Sequence, residues 1–594
     1  METPGHALLV ALPDPKLASA EAQRLMTSCL KAFGFSDIVC LPGEGQPLTR
    51  ASVLDGLDAL VARVGPNDPC VFHYFGHGDR VCFTDRSNDA VAEITEARVF
   101  SYLRCTRGPG GEFDDLLDLA LTRRLSQLAH ACGNLTTIID ACHSATVVRS
   151  AKPKRSHHSR PTPTWLLDEL RACDDRWLAP ESHPGVVRLA AAPPLTGAET
   201  IEFGRRNLGL LTKLLHDELM KIAEHRQIVS WDALVHRLRG AVFQTKKSEY
   251  QWIVLAGPRE RRLFATETLP LPRSVGFVAN DASAGWIWAG RLQGVETGDR
   301  WRTSEVEAIV VGEVELARAR LSFTADRPPA IGSAELVRVA APMLVELDAD
   351  VRARLEPELA RSAWLAPTTH AGAARVSIDH GEFVVADLDQ RWSASRWPLD
   401  EHGTSAMIER LEDQARSRRL LGLVAPKRTG DAAIRVTWGR VRDDEAPARL
   451  HADEPIWIRI ECSDASPDAW FVQVIHIDGL GRPRLLGASQ PDGIAVERGE
   501  PQWIGARPGR RRAGVVLGWP ESLSGSEVAC SLLVIACGRP LQLGHLVRPH
   551  AGDDDMLAVG LRLGPERTGM RDKLAPQATK RGEVLRFDFQ LVKE

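Results

Sequence analysis

The sequence predicts an α/β fold, a mostly parallel sheet with helices on both faces, followed by β-rich modules. Three observations lead there. Short apolar runs alternate with helically spaced ones from His6 to about Phe264, which is the rhythm of βαβ units. After TETLPLPRS (266–274) the runs become short, alternating and interrupted by glycine, the texture of antiparallel β-structure. A chain of 594 residues is too long for one hydrophobic core and predicts three or four domains.

Taken in order, HALLVAL (6–12) is an apolar run stopped by Pro13 and reads as a buried strand. Residues 17–33 place Ala18, Ala22, Leu25, Met26, Cys29 and Phe33 on one helical face. DIVCLPG (37–43) is a second strand, and Thr49 is the expected N-cap of a helix through Val53, Leu54, Leu57, Leu60 and Val61. CVFHYF (70–75), LTTIID (135–140) and VVRLAAA (186–192) supply three more strands, with helices expected within 115–131 and around 207–224. Between them SAKPKRSHHSRPTP (150–163) is basic, Pro/Ser-rich and without apolar periodicity, so it reads as an exposed loop. The texture divides the chain into 1–268, a small β module at 269–342, a mixed α/β segment at 343–428 and a β-rich region at 429–594, with RLEDQARSRRLLGL an ordinary amphipathic helix.

Composition narrows the function. Hydrophobic residues make up 44% and charged residues 26%, ordinary for a globular chain. The net charge of −4 argues against a nucleic-acid-binding protein. No run approaches the length of a membrane span, and METPGHALLVALPDPK lacks the basic start of a signal peptide, so a cytoplasmic location is expected. The eleven cysteines form no paired CxxC at zinc-finger spacing, so no metal site and no cofactor are expected. The acidic run at 553–555 could bind calcium, but a charge run is usually solvated surface.

Two strand ends stand out. The third strand runs into Gly76-His77-Gly78 and the fourth into Asp140-Ala141-Cys142-His143-Ser144. In an open parallel sheet both would lie at the rim where ligands bind. Singly, a His between glycines is more often a turn and a Cys after a strand more often packing. Together they supply a base and a thiol, as acyl transfer needs. The flanking glycines let a substrate backbone approach and leave an N–H free for an oxyanion.

YFGHGD (74–79) and IIDACHSA (138–145) resemble the histidine and nucleophile motifs of caspase-like peptidases of the metacaspase and paracaspase branch. The resemblance runs over about 5–266, through ALPDP, RLAAAPPLTGAE, GRRNLGLLTKLL and QWIVLAGPRERRLF. Phe75 and Ala145 stand where the family usually has a small residue and Gly. More loosely, 285–301 and 432–548 resemble β modules attached to bacterial relatives.

The resemblance implies a cysteine endopeptidase in which Cys142 attacks as thiolate and His77 serves as general acid to the leaving amine, with His143 only a motif residue. Backbone N–H groups of Gly78 and Cys142 would hold the oxyanion. It also implies an acidic pocket for Arg, with Lys the second choice, formed by Asp14, Asp140 and Glu199, Glu202 lying close to the last. Lys152, Lys154, Arg155 and Arg160 become candidate cleavage sites for self-processing or an upstream activating protease. Protein substrates, a regulator, and a part in bacterial defence or regulated cell death are the partners and role implied. The rival expectation is a catalytically silent scaffold whose β modules bind partners.

Overall fold

The computed structural model describes residues 4–83, 99–106, 114–141, 159–160, 165, 185–192, 198–246, 251–269, 274–303, 306–324, 329–423, 433–441, 447–462, 470–486, 492–496, 501–505, 514–520, 523, 525–549 and 582–593. They fall into two compact units that divide near residue 271.

The first unit is built on β1 (Gly5–Ala11), β2 (Phe35–Leu41), β3 (Cys70–Phe75), β4 (Gly78–Phe83), β5 (Val99–Leu103), β6 (Leu116–Leu117), β7 (Leu135–Asp140), β8 (Ser159–Arg160), β9 (Val186–Ala190), β10 (Thr200–Phe203), β11 (Arg206–Gly209) and β12 (Val254–Ala256). Its helices are α1 (Ser19–Ala32), α2 (Arg50–Val61), α3 (Asp118–Cys132), α4 (Leu210–Glu224) and α5 (Trp231–Lys246). Six strands form the main sheet in the order β12-β9-β7-β3-β1-β2. All neighbours are parallel except β12 on β9.

Both faces of that sheet are covered, which is why its strands are apolar throughout. Alternation divides them: Leu8, Val10, Phe72 and Tyr74 pack with α2 and α3, while Ala7, Leu9 and Val71 pack with α4 and α5. Each fully buried Leu or Phe contributes about 1.5–3 kcal/mol. Local chemistry sets the helix ends. Thr49 Oγ1 accepts from the Ser52 N–H at 3.0 Å and the Thr49 N–H donates to Ser52 Oγ at 3.1 Å, a reciprocal cap on α2. Gly133 ends α3 at φ +62°, a conformation that favours glycine.

A second, four-stranded sheet in the order β6-β5-β4-β8 was not expected from the sequence. Ser159 and Arg160, read there as loop, pair in parallel with Cys82 and Phe83 of β4.

In the second unit, six strands between Ser274 and Arg338 close into a barrel around the fully buried Trp301. Five strands between Met343 and Pro398 form a mixed sheet with α6 (Ala349–Arg361) and α7 (Glu401–Leu421). Strands between Ile434 and Val592 make a three-stranded and a seven-stranded sheet. Both contribute to one core, Ile434, Trp438 and Ile458 from the first and Val472, Leu532 and Val534 from the second. The amphipathic reading of α7 needs correction, because Arg410 and Arg416 are buried on it. Arg416 bonds Glu412 and Asp413 of its own helix, Arg418 pairs with Asp387 and Asp389, and Arg419 reaches Asp299 of the barrel at 2.7 Å.

No helix among the described residues is long and apolar enough to cross a membrane.

Asp299 is 1% exposed and also accepts from the backbone N–H groups of Glu296 (3.0 Å) and Ala340 (2.8 Å). Asp299→Ala therefore leaves two amides unmet and the Arg419 guanidinium with only the more exposed Glu296, at 3.5 Å. A loss of about 3–5 kcal/mol is expected, read as a lower denaturant midpoint for the second unit's transition with the first unit's unchanged.

Candidate active site

The strand order reverses at β1, with β2 on one side and β3 on the other. In open sheets of this kind ligands bind beside such a switch, at the carboxyl ends of the strands. Asp14 follows β1, His77 follows β3, and β7 ends on Asp140. The register pairs Phe75 with Asp140, so His77 and Cys142 each stand two residues beyond paired positions on adjacent strands. Cys142 itself, with 143–150, lies outside the described residues, as do Lys152, Lys154, Arg155 and the acidic run 553–555.

Backbone bonds tie the rim together. The Gly76 N–H donates to the Asp140 carbonyl at 3.2 Å and the Leu12 N–H to the Phe75 carbonyl at 2.9 Å. A Cβ on Gly76 would overlap Tyr74 Oη and Leu12 Cβ, so glycine is required there for space. The buried Tyr74 Oη lies 2.8 Å from the Arg104 carbonyl and 3.1 Å from the His77 carbonyl, which fixes the turn. The Arg104 N–H donates to the His77 carbonyl at 2.9 Å. In that antiparallel ladder the next residue, Gly78, turns its N–H away from β5.

His77 is half-buried, and its Nε2 lies 3.4 Å from Asp14 Oδ2, an ion-pair separation. Asp14 Oδ1 accepts from the Lys16 N–H at 2.8 Å. The sequence placed Asp14 only in a substrate pocket; its contact with the imidazole was not foreseen.

Asp140 is different in kind. It is 2% exposed, and its Oδ2 accepts from both the backbone N–H (2.8 Å) and the hydroxyl (2.7 Å) of Thr212, in the first turn of α4. Burial pushes its carboxyl up from 3.8 to about 6, against the pull of the two Thr212 bonds. Among the described residues no Lys or Arg forms an ion pair with it. Gly209, the residue before α4, has an ordinary φ of −61°; what its position demands is the missing side chain, since a Cβ would overlap Asp140 Oδ2.

Glu199 is exposed and its carboxylate faces solvent. Its N–H donates to Gln251 Oε1 at 2.9 Å and its carbonyl accepts from the Leu210 N–H at 3.1 Å. The hairpin β10–β11 that follows touches the segments that carry the other two acids. Its Asn207 exchanges backbone bonds of 2.8 Å with Lys16 and Ala18, just after Asp14, and its Gly209 abuts Asp140. Sequence reading missed Gly209 and Thr212. A glycine followed three residues later by Thr at a helix start was the available clue, because such a turn holds amide donors that need an acceptor.

Residues 18–151 match the family model described as metacaspase, peptidase C14 domain, a stretch that includes His77, Asp140 and Cys142 but neither Asp14 nor Glu199. The chain is similar to Metacaspase-1 of Candida albicans, 33% identical over 103 residues, which is 17% of this chain and 21% of that protein. It thus spans about a fifth of the length of the curated relative it matches. Among solved structures, protein GSU0716 from Geobacter sulfurreducens aligns over 45% of this chain and all of its own, at 19% identity and a TM-score of 0.27, too low to bear on fold or function.

Asp140 gives a stability prediction with a fixed sign. The folded protein holds the Asp140 proton more tightly than the unfolded chain, so this contribution is full below about pH 3.8 and lost as pH rises through about 6. At pH 8 the ionised carboxylate is a net cost. Asp140→Asn keeps an oxygen for Thr212 and is expected to unfold at the same temperature as wild type or higher at pH 8, with that advantage gone at pH 4.

Proposed function

We propose that the chain is a cysteine endopeptidase that cleaves proteins after Arg, with Lys as the second choice, through Cys142 and His77. The Cys142 thiolate adds to the scissile carbonyl, and the oxyanion takes hydrogen bonds from the N–H groups of Gly78 and Cys142. His77 passes a proton to the departing amine, and water then hydrolyses the thioester. Asp14, on His77, orients the imidazole and borders the pocket floored by Asp140, with Glu199 at its mouth.

One observation carries this reading: a carboxylate buried at the carboxyl end of β7 with no cation among the described residues. A buried charge is costly unless paired, and a substrate guanidinium would supply the missing partner with bidentate geometry. A regulatory step at Lys152, Lys154, Arg155 or Arg160, protein partners for the β-rich unit, and a role in bacterial defence or regulated cell death belong to the same proposal. Arg160 stands within the pairing of β8 with β4, so cleavage there requires that pairing to open.

Reporter peptides ending in Arg, Lys or Asp test it. Arg peptides are expected to turn over, Asp peptides not, and Cys142→Ala or His77→Ala to abolish the reaction. Asp140→Asn should lower kcat/KM on Arg peptides by about 100-fold or more, the worth of a charge-assisted contact of ~3 kcal/mol. Absence of turnover before and after trypsin nicking within residues 150–163, with a native melting curve, would favour the silent scaffold instead.

A further inference from the structure

Behind Asp140 lies a second layer that the proposed chemistry does not use. Thr212 is fully buried, and so is His73 in the middle of β3, whose Nε2 stands 3.3 Å from Thr212 Oγ1. Asp140 and His73 thus meet the same hydroxyl from two strands.

We propose that Thr212, oriented by His73, is the positioning residue that fixes the Asp140 carboxylate for reading the substrate's basic side chain. This inference rests on the peptidase reading above.

Proton accounting leaves one arrangement. The Thr212 hydroxyl has a single hydrogen, and Asp140 Oδ2 at 2.7 Å takes it. The hydroxyl oxygen can then only accept from His73, so His73 must be the Nε2–H tautomer. Burial pushes the His73 imidazole down to about 3, so the ring is neutral and carries one proton to place. Its buried Nδ1 has no partner among the described residues, and a bare acceptor there costs less than an orphaned N–H. In the opposite tautomer the hydroxyl would turn to His73 and abandon the carboxylate. With Oδ2 held by two donors from one residue, the Asp140 side chain cannot rotate, and Oδ1, without a partner among the described residues, is the oxygen left for a guanidinium.

Thr212→Val keeps the shape and the backbone donor but removes the hydroxyl. KM for Arg peptides is expected to rise about tenfold, one lost hydrogen bond to a charged group, with kcat within about twofold. Thr212→Ser should restore wild-type values. His73→Leu should raise KM in the wild-type background and add nothing to Thr212→Val. Nitrogen-15 spectra of the imidazoles should show His73 as the Nε2–H tautomer. Unchanged KM in Thr212→Val, a Thr212→Ser variant as impaired as Thr212→Val, or an Nδ1–H tautomer at His73 would each overturn the positioning role in an active enzyme. Wild-type protein that hydrolyses no basic peptide overturns the parent reading and takes this one with it.

Discussion

The first unit is organised around one carboxylate. Asp140 ends β7, and its carbonyl accepts from Gly76 while its side chain accepts from the first turn of α4. A helix start offers unpaired amides and a positive dipole end, worth up to about 2 kcal/mol to an anion in a partly buried setting. That is not enough here: the carboxyl still stands at about 6 against 3.8, so burial outweighs both bonds by on the order of 3 kcal/mol. The neighbours follow from that compromise. Gly209 lacks a side chain because Asp140 occupies the space, and Gly76 lacks one because Tyr74 and Leu12 close over the turn.

Two consecutive residues of β3 support the rim from opposite faces of the sheet. Tyr74 points among α2 and α3 and fixes the backbone at His77 and Arg104. His73 points the other way and meets Thr212 on α4. A strand buried on both faces can therefore support the turn at His77 with one side chain and the Thr212–Asp140 contact with the next, through the period of two that makes it a strand. Neither residue touches the reacting atoms, yet each fixes a group that would.

Much of the first unit was legible because a parallel sheet covered on both faces leaves apolar runs, and β1, β3, β7 and β9 are such runs. His77 and Asp140 were legible from their offsets at strand ends. The small sheet was not, since GDRVCF reads as the tail of a motif and β6 and β8 are two residues each. Contacts between residues far apart in sequence were invisible as well: Thr212 is 72 positions from Asp140 and 139 from His73. On α7 the pattern itself misled. Arginines look like a solvated face, but Arg416 is paired within its helix and Arg419 across to the barrel, and hydropathy does not register a charge buried with its partner.

The choice between a peptidase and a silent scaffold turns on what the fold tolerates at Asp140. An adaptor gains nothing from an ionised group that lowers its stability, and most stabilising changes at such a position are open to it. A buried acid held, among the described residues, by neutral donors only, at the carboxyl end of its strand, makes sense where a cation arrives with the ligand. Gly78, beside His77, likewise turns its N–H from β5, and an amide so placed would be useful to a developing negative charge. Among the described residues the rim holds an acid with no basic side chain paired to it and an amide turned from its neighbouring strand, and a peptide carbonyl flanked by a basic side chain would suit both.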